Sequence, residues 1–448
     1  MVKYNVKRKF CFLLMIKSTS PTKRGGISIK RILLTLCIVM CFTGCSSLTG
    51  KSNITNLLSA PKLSENESNI VTAIENYIDE DINLKYSQNM GYSAPIQLID
   101  IDFDSVYEAV VFYYAPNKGA NIRFSLLSYT AATEEWNVVM DKEGLGTDVF
   151  YFDTIILPKV YGKQITVGYQ SKNISENFFV TYFTDKAKDI PDYVENCQYI
   201  VSGDMNGSGY SDIILTKELS NKNVTFSVLT FNDDMQFQSS KAKTLKYAGI
   251  DISKIMVSRL KDGRNAVYFD YSDGHNRMHT EIYAMEFGRL VSCIPNGIVS
   301  KSWEHEPVIS SKDINGNGYA ETATVIQPHY PDEVPSFKYL EWSDWTQKTP
   351  ERVYYGIFDI RENIFMALPD EWQDKVYAVA LENGLEIKNA ETDELMFSFT
   401  EKETIDEIES GAYSYAVYIG TKLWHLECSE NMNMSQIEYV YKSITDFD

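Results

Sequence analysis

The chain has 448 residues, more than one small core needs, so two or more domains are expected. Apolar residues make up 44% and charged residues 23%, the proportions of an ordinary globular protein. A formal net charge of −19 repels phosphate backbones, which excludes nucleic acid as a partner.

The N-terminal segment reads as a leader. Lys30 and Arg31 precede an apolar run from Ile32 to Phe42. The run has the length of a signal-peptide core and is short for a bilayer span. The segment FTGC, from Phe42 to Cys45, then sets small residues directly before a cysteine. This resembles the lipobox of bacterial lipoproteins, although the lead over residues 1–29 is longer than that pattern requires. The resemblance implies a signal peptide over 1–44, lipidation of Cys45, and a mature chain held outside the cytoplasm on the cell membrane. An ordinary secretory signal or an N-terminal anchor helix is the alternative. Nine of the 42 basic residues and none of the 61 acidic ones lie in 1–44, so the mature chain carries 33 against 61, a net charge of −28. Such a surface suits cations and neutral ligands such as glycans. Cys197, Cys293 and Cys428 remain, far apart and without CxxC spacing, and read as buried free thiols.

Residues 45–66 are polar and read as a flexible tether. Residues 67–94 form a helical lead-in. Ile70, Ile74, Tyr77 and Ile78 predict a helix over 69–82, with Ser68 or Asn69 as N-cap. From residue 95 to 350 the texture changes to short runs rich in Val, Ile, Tyr, Phe and Thr between Gly, Asp, Asn and Pro turns. EAVVFYY, QITVGY and VTFSVLTF are examples, and they predict strands. Residues 351–448 read as a separate α+β domain, with strands, a helix over Glu401–Ser410 and a closing helix in MSQIEYVYKSI.

The β region repeats. SGDMNGSGYSDIIL begins at Ser202 and SKDINGNGYAETAT at Ser311, an offset of 109; IDIDFDSVYEAVV begins at Ile99, with Asp100 lying 104 before Asp204. Weaker copies at the half-period, Pro158–Tyr169 and Ser258–Tyr271, keep a turn glycine (Gly162, Gly263) but lose the acidic loop. Five units therefore begin near residues 95, 150, 198, 250 and 306, with about four strands in each. Fifty-odd residues and four antiparallel strands are the dimensions of a propeller blade. The fold class read here is mainly β: a β-propeller of about five degenerate four-stranded blades, followed by the small α+β domain. A β-sandwich is the alternative.

In each strong loop, oxygen-bearing side chains occupy positions 1, 3, 5 and 9. They are Asp100, Asp102, Asp104 and Glu108; Asp204, Asn206, Ser208 and Asp212; and Asp313, Asn315, Asn317 and Glu321. A curled loop can thereby gather the six to eight oxygens that Ca2+ requires. Gly207, Gly209, Gly316 and Gly318 permit that curl; the first loop has Phe103 and Ser105 instead. Position 12 is Val111, Leu215 or Thr324, not the bidentate acid of an EF-hand. The pattern resembles the D-x-[DN]-x-[DN]-G-x-x-[DE] loop of FG-GAP and VCBS-type repeats, the calcium-bearing blade loops of integrin-α-like propellers. That resemblance covers 95–350 and implies structural calcium in a loop joining the first and second strands of a blade. Turns satisfied by their own side chains, without metal, are the alternative.

Other clusters are weaker. His275 and His279, with Asp273 nearby, form a pair without an evident third ligand and read as a solvated turn. Tyr339, Trp342 and Trp345 beside Glu341 and Asp344 would suit sugar stacking, but their spacing does not place them on one strand face. No Ser-His-Asp ordering, P-loop or HExxH motif is present. The sequence thus favours an envelope binding or scaffolding module for protein or glycan. The rival is a polysaccharide-active hydrolase or lyase using carboxylates at a propeller mouth.

Overall fold

The computed structural model describes residues 64–85, 94–170, 177–184, 190–272, 278–294, 298–299, 309–326, 337–346, 350–405, 408, 414–429 and 432–446. Cys45, its leader and most of the tether lie outside them. The chain divides into two compact units, Met1–Ser68 and Asn69–Asp448. Of the first, only residues 64–68 are described.

Helix α1 spans Glu65–Ile78. It starts earlier than the apolar spacing predicts because Ser64 and Glu67 form a capping box. Glu67 N–H donates to Ser64 Oγ at 3.3 Å, and Ser64 N–H donates to Glu67 Oε2 at 2.7 Å. Ile70, Ile74 and Ile78 form its buried stripe.

The rest is mainly β, built from consecutive antiparallel sheets with a four-stranded core. In sheet 1, Asn83–Leu84 and Ile96–Ile99 both pair with Glu108–Tyr114, followed by Arg123–Thr130 and Glu135–Glu143. Sheet 2 is Asp148–Ile156, Lys163–Gln170, Asn177–Tyr182 and Tyr193–Cys197. Sheet 3 runs Ile200–Gly203, Asp212–Glu218 and Asn223–Phe231, with Phe237–Ser239 and Lys243–Ala248 both pairing with the last of these. Sheet 4 runs Asp251–Arg259, Asn265–Ser272 and Met278–Glu286, with Arg289–Ser292 and Ile298–Val299 along Met278–Glu286. Sheet 5 is Thr322–Ile326, Phe337–Trp345, Pro350–Asp359, Ile364–Leu368 and Thr445–Asp446. Sheet 6 is Val376–Leu381, Gly384–Asn389, Leu395–Lys402, Lys422–Cys428 and Ser414–Ile419.

The expected boundary at 350/351 falls inside sheet 5. Pro350 opens its third strand, where a missing N–H is tolerated. The C-terminal Thr445–Asp446 returns to pair with Ile364–Phe365. Glu401 and Lys402 finish a strand rather than start a helix. The closing helix is present as α2, Met434–Lys442, with Asn433 as N-cap.

Period-two alternation explains how the sheets pack. Ile213 and Leu215 join Ile155 and Phe179 of sheet 2, while Ile214 between them joins Val267 and Phe269 of sheet 4. Sheet 1 meets sheet 2 through Val110, Phe112, Phe124, Val149 and Ile165. Sheet 4 meets sheet 5 through Tyr268, Ile282, Ala320 and Trp345. Sheet 5 meets sheet 6 and α2 through Ile357, Met366, Ile387, Trp424 and Ile437. The second face of sheet 1, with Ala109, Val111 and Tyr113, is covered by the isoleucines of α1. Ile70, Ile74 and Ile78 each gain roughly 1.5–3 kcal/mol from burial. Cys197, Cys293 and Cys428 are buried free thiols, as expected.

Candidate metal centre

The three acidic loops each run into a strand: the first joins Ile96–Ile99 to Glu108–Tyr114 in sheet 1, the second joins Ile200–Gly203 to Asp212–Glu218 in sheet 3, and the third leads into Thr322–Ile326 of sheet 5. The pairing around them is the same. Ile99 faces Glu108, Gly203 faces Asp212, and Lys312 bridges to Glu321. This register brings the position-9 carboxylate back beside position 1. One of its oxygens then accepts the N–H of position 2: Ile101 to Glu108 at 2.8 Å, Met205 to Asp212 at 2.9 Å, and Ile314 to Glu321 at 2.9 Å. The side chain of position 2 turns inward each time, so Ile101, Met205 and Ile314 are all buried.

Positions 4 and 6 adopt left-handed backbone in every loop. Gly207 and Gly209 have φ of 75° and 82°, and Gly316 and Gly318 have 72° and 88°. Phe103 and Ser105, the non-glycine counterparts, have φ of 63° and 71°. A side chain in that region costs ~1–2 kcal/mol. The first loop therefore keeps the curl without the residues that make it easy, and the lack of glycine does not set it apart from the other two.

The curl turns oxygens inward. In the second loop, Asp204 Oδ1 accepts from Gly207 and Ser208 N–H at 2.8 and 3.0 Å, and Oδ2 accepts from Gly209 at 2.8 Å. Asn206 Oδ1 accepts from Ser208 N–H at 2.9 Å, and Ser208 Oγ from Tyr210 N–H at 3.3 Å. In the third, Asp313 accepts from Asn317 and Gly318, and the Nδ2 groups of Asn315 and Asn317 donate to Glu321 Oε1 at 3.0 and 3.3 Å. Those amides hold the carboxylate oxygen that a cation would take. The third loop is thereby satisfied by its own side chains.

The first loop fits a cation best. Ligand atoms of Asp100, Asp102 and Glu108 lie within 4.8 Å of one another. Asp100 Oδ1 is buried with no hydrogen-bond partner. Burial, with the charges of Asp102, Asp104 and Asp100 adding to it, pushes the Glu108 carboxyl above its ordinary range. A divalent cation would satisfy the orphan oxygen and relieve that repulsion. Asp104 is exposed, and its Oδ1 accepts from Val106 N–H at 2.7 Å. Burial also raises Asp212, and burial followed by the nearby Asp344 carboxyl pushes Glu321 up to about 8.

Each loop is gripped by a neighbouring sheet. Lys163 N–H of sheet 2 donates to the Ile101 carbonyl at 2.7 Å. At the adjacent Gly162, with φ 79°, a Cβ would lie 2.8 Å from the same oxygen. Asn265 Nδ2 of sheet 4 donates to the Asp204 carbonyl at 2.6 Å, and Ser211 N–H to Ile156 O at 2.8 Å. Arg259 bridges to Tyr319 in the third loop. Nothing in the sequence pointed to Asn265 or Ser211.

The other clusters resolve as core. His279 is buried in a strand and stacks against Tyr247 and Tyr271 at 4.1 and 5.5 Å, so it is no part of a solvated turn. Asp273 and His275 lie outside the described residues. Trp342 and Trp345 are buried in different clusters, and Tyr339 is buried with its hydroxyl accepting from Ala378 N–H. Asp344 is buried near Lys261, and Glu341 lies 3.7 Å from Arg352. No sugar can stack on these rings.

No protein-family model matches the chain, and no curated protein matches it. Among solved structures it is similar to the periplasmic gluconolactonase of Pseudomonas aeruginosa, at 13% identity over 57% of this chain and 68% of that one, with a TM-score of 0.33. It is also similar to a candidate 6-phosphogluconolactonase of Bacteroides fragilis NCTC 9343, at 11% identity over 66% and 92%, with a TM-score of 0.26. Neither overlay is close enough to transfer a residue or a reaction.

Proposed function

We propose that this chain is an exported binding scaffold, anchored to the cell membrane through lipid on Cys45 and braced by calcium, that presents its sheets to a protein or glycan. Its repeats are read as degenerate propeller blades of the FG-GAP/VCBS type. The observation that carries the reading is the first loop. Phe103 and Ser105 hold the left-handed curl without glycine, around an acidic trio that leaves Asp100 Oδ1 unpartnered. Strain kept beside an unsatisfied buried oxygen supports a role for that loop in binding a cation. The loops are clasped by adjacent sheets, which supports a bracing role for the ion rather than a catalytic one.

Calorimetric titration of the intact chain with CaCl2 tests this. Saturable binding is expected, weakened most by Asp100→Asn because that loop has the most carboxylates. No binding at millimolar calcium would remove the calcium bracing from the proposal.

A further inference from the structure

We propose that a cleft between the outer edges of sheets 3 and 4 is a neutral-glycan site with Phe287 as its stacking platform; this rests on the binding-scaffold reading above and names the ligand class and place.

The cleft measures about 590 Å³, within the range of small-ligand sites. Gln238 and Ser239 of the short outer strand of sheet 3 form one wall. Met285 and Phe287 of sheet 4 form the other, with Asn206 and Lys241 at the rim. Phe287 is fully exposed, at 104% of its reference area. It sits in a two-residue turn closed by the Glu286–Arg289 pair. Its φ is 49°, and that of Gly288 is 73°. Two positive φ values make this a type I′ turn, whose first position favours Asn, Asp or Gly. Phenylalanine there bears backbone strain and leaves a whole ring in water. The fold gains nothing from either, and strain of this kind concentrates at binding sites.

The chemistry around the ring selects the ligand. A flat apolar face beside amides, hydroxyls and one ammonium matches a pyranose, which offers a C–H face and a hydroxyl edge. Asn206 Oδ1 already accepts from Ser208, so its Nδ2 remains as a donor. A peptide added as a strand needs a longer edge than the three residues Phe237–Ser239 provide. A peptide helix needs an apolar groove, and this lining is largely polar.

The test uses the intact chain with cellotetraose, chitotetraose, maltotetraose and xylotetraose, followed by calorimetry and saturation-transfer NMR. At least one should bind in the millimolar range or tighter. Phe287→Ala and Gln238→Ala should each weaken it about tenfold. Phe287→Asn should weaken binding as much as Phe287→Ala while holding or raising the melting temperature, because asparagine suits the turn. Failure of all four sugars to bind, or a lower melting temperature for Phe287→Asn, would overturn the proposal. Binding undiminished in Phe287→Asn would also overturn it, yet would leave the binding-scaffold reading standing with the glycan elsewhere.

Discussion

Asn265, at the start of a strand in sheet 4, donates its side-chain amide to the backbone carbonyl of Asp204 in sheet 3, 2.6 Å away. Asp204 is position 1 of the second acidic loop, so the neighbouring sheet holds the loop at the residue whose carboxylate organises its curl. Asn265→Ala removes that clasp and leaves the carbonyl unpaired. The expected cost is about 1 kcal/mol in urea unfolding, with weaker calcium binding at the loop.

The strain in the first loop is open to measurement. Ser105 is exposed with φ at 71°. Ser105→Gly should raise stability by about 0.5–1 kcal/mol, the left-handed penalty less the extra backbone entropy of glycine. Chemical denaturation reads this directly. A loss of stability would mean that the loop does not hold the described curl.

Glu321 gives a pH dependence. Burial raises its carboxyl to about 8, against an ordinary 4.5. The folded chain then holds a proton that the unfolded chain has released between those values, so this group's contribution falls as pH rises from about 4.5 through about 8. In calcium-free buffer, the urea midpoint of the native chain should drop across that window more than that of Glu321→Gln. Equal slopes for the two would exclude a raised Glu321.

Lipidation is tested separately. Cys45→Ser should prevent labelling by radioactive palmitate and move the chain from the membrane to the soluble fraction. Unchanged membrane recovery without label would point to an anchor helix instead.

The repeat was legible because its loops are written in oxygen-bearing residues at fixed spacing, and these cannot drift without losing the turn. Asp100, Asp204 and Asp313 mark sheets 1, 3 and 5, and the faint copies at Gly162 and Gly263 fall in sheets 2 and 4, as the half-period required. The sequence ruler ended at sheet 5 because the sequence after Pro350 holds no further copy of the D-x-[DN]-x-[DN] pattern, and Pro350 looked like a stop when it was a strand's first residue. The return of Thr445–Asp446 to sheet 5 is a pairing across some eighty residues, which no local pattern encodes. Burial of His279 depended on the residues packed against its strand, so its neighbourhood read as a solvated turn, whereas the spacing of Trp342 and Trp345 already spoke against a sugar-stacking face. Phe287 escaped notice because one exposed phenylalanine before a glycine carries no signal until its turn and cleft are seen.

The most direct test of calcium bracing is the melting temperature of the intact chain in EDTA and in millimolar calcium, beside the triple variant Asp100→Asn/Asp204→Asn/Asp313→Asn. An ion bound only by the folded state at a hundred times its dissociation constant adds about 2.7 kcal/mol, enough to raise the melting temperature by several degrees. The account predicts that rise in the native chain and its loss in the triple variant. Equal melting temperatures with and without calcium, and equal stability of the two proteins in calcium, would contradict it.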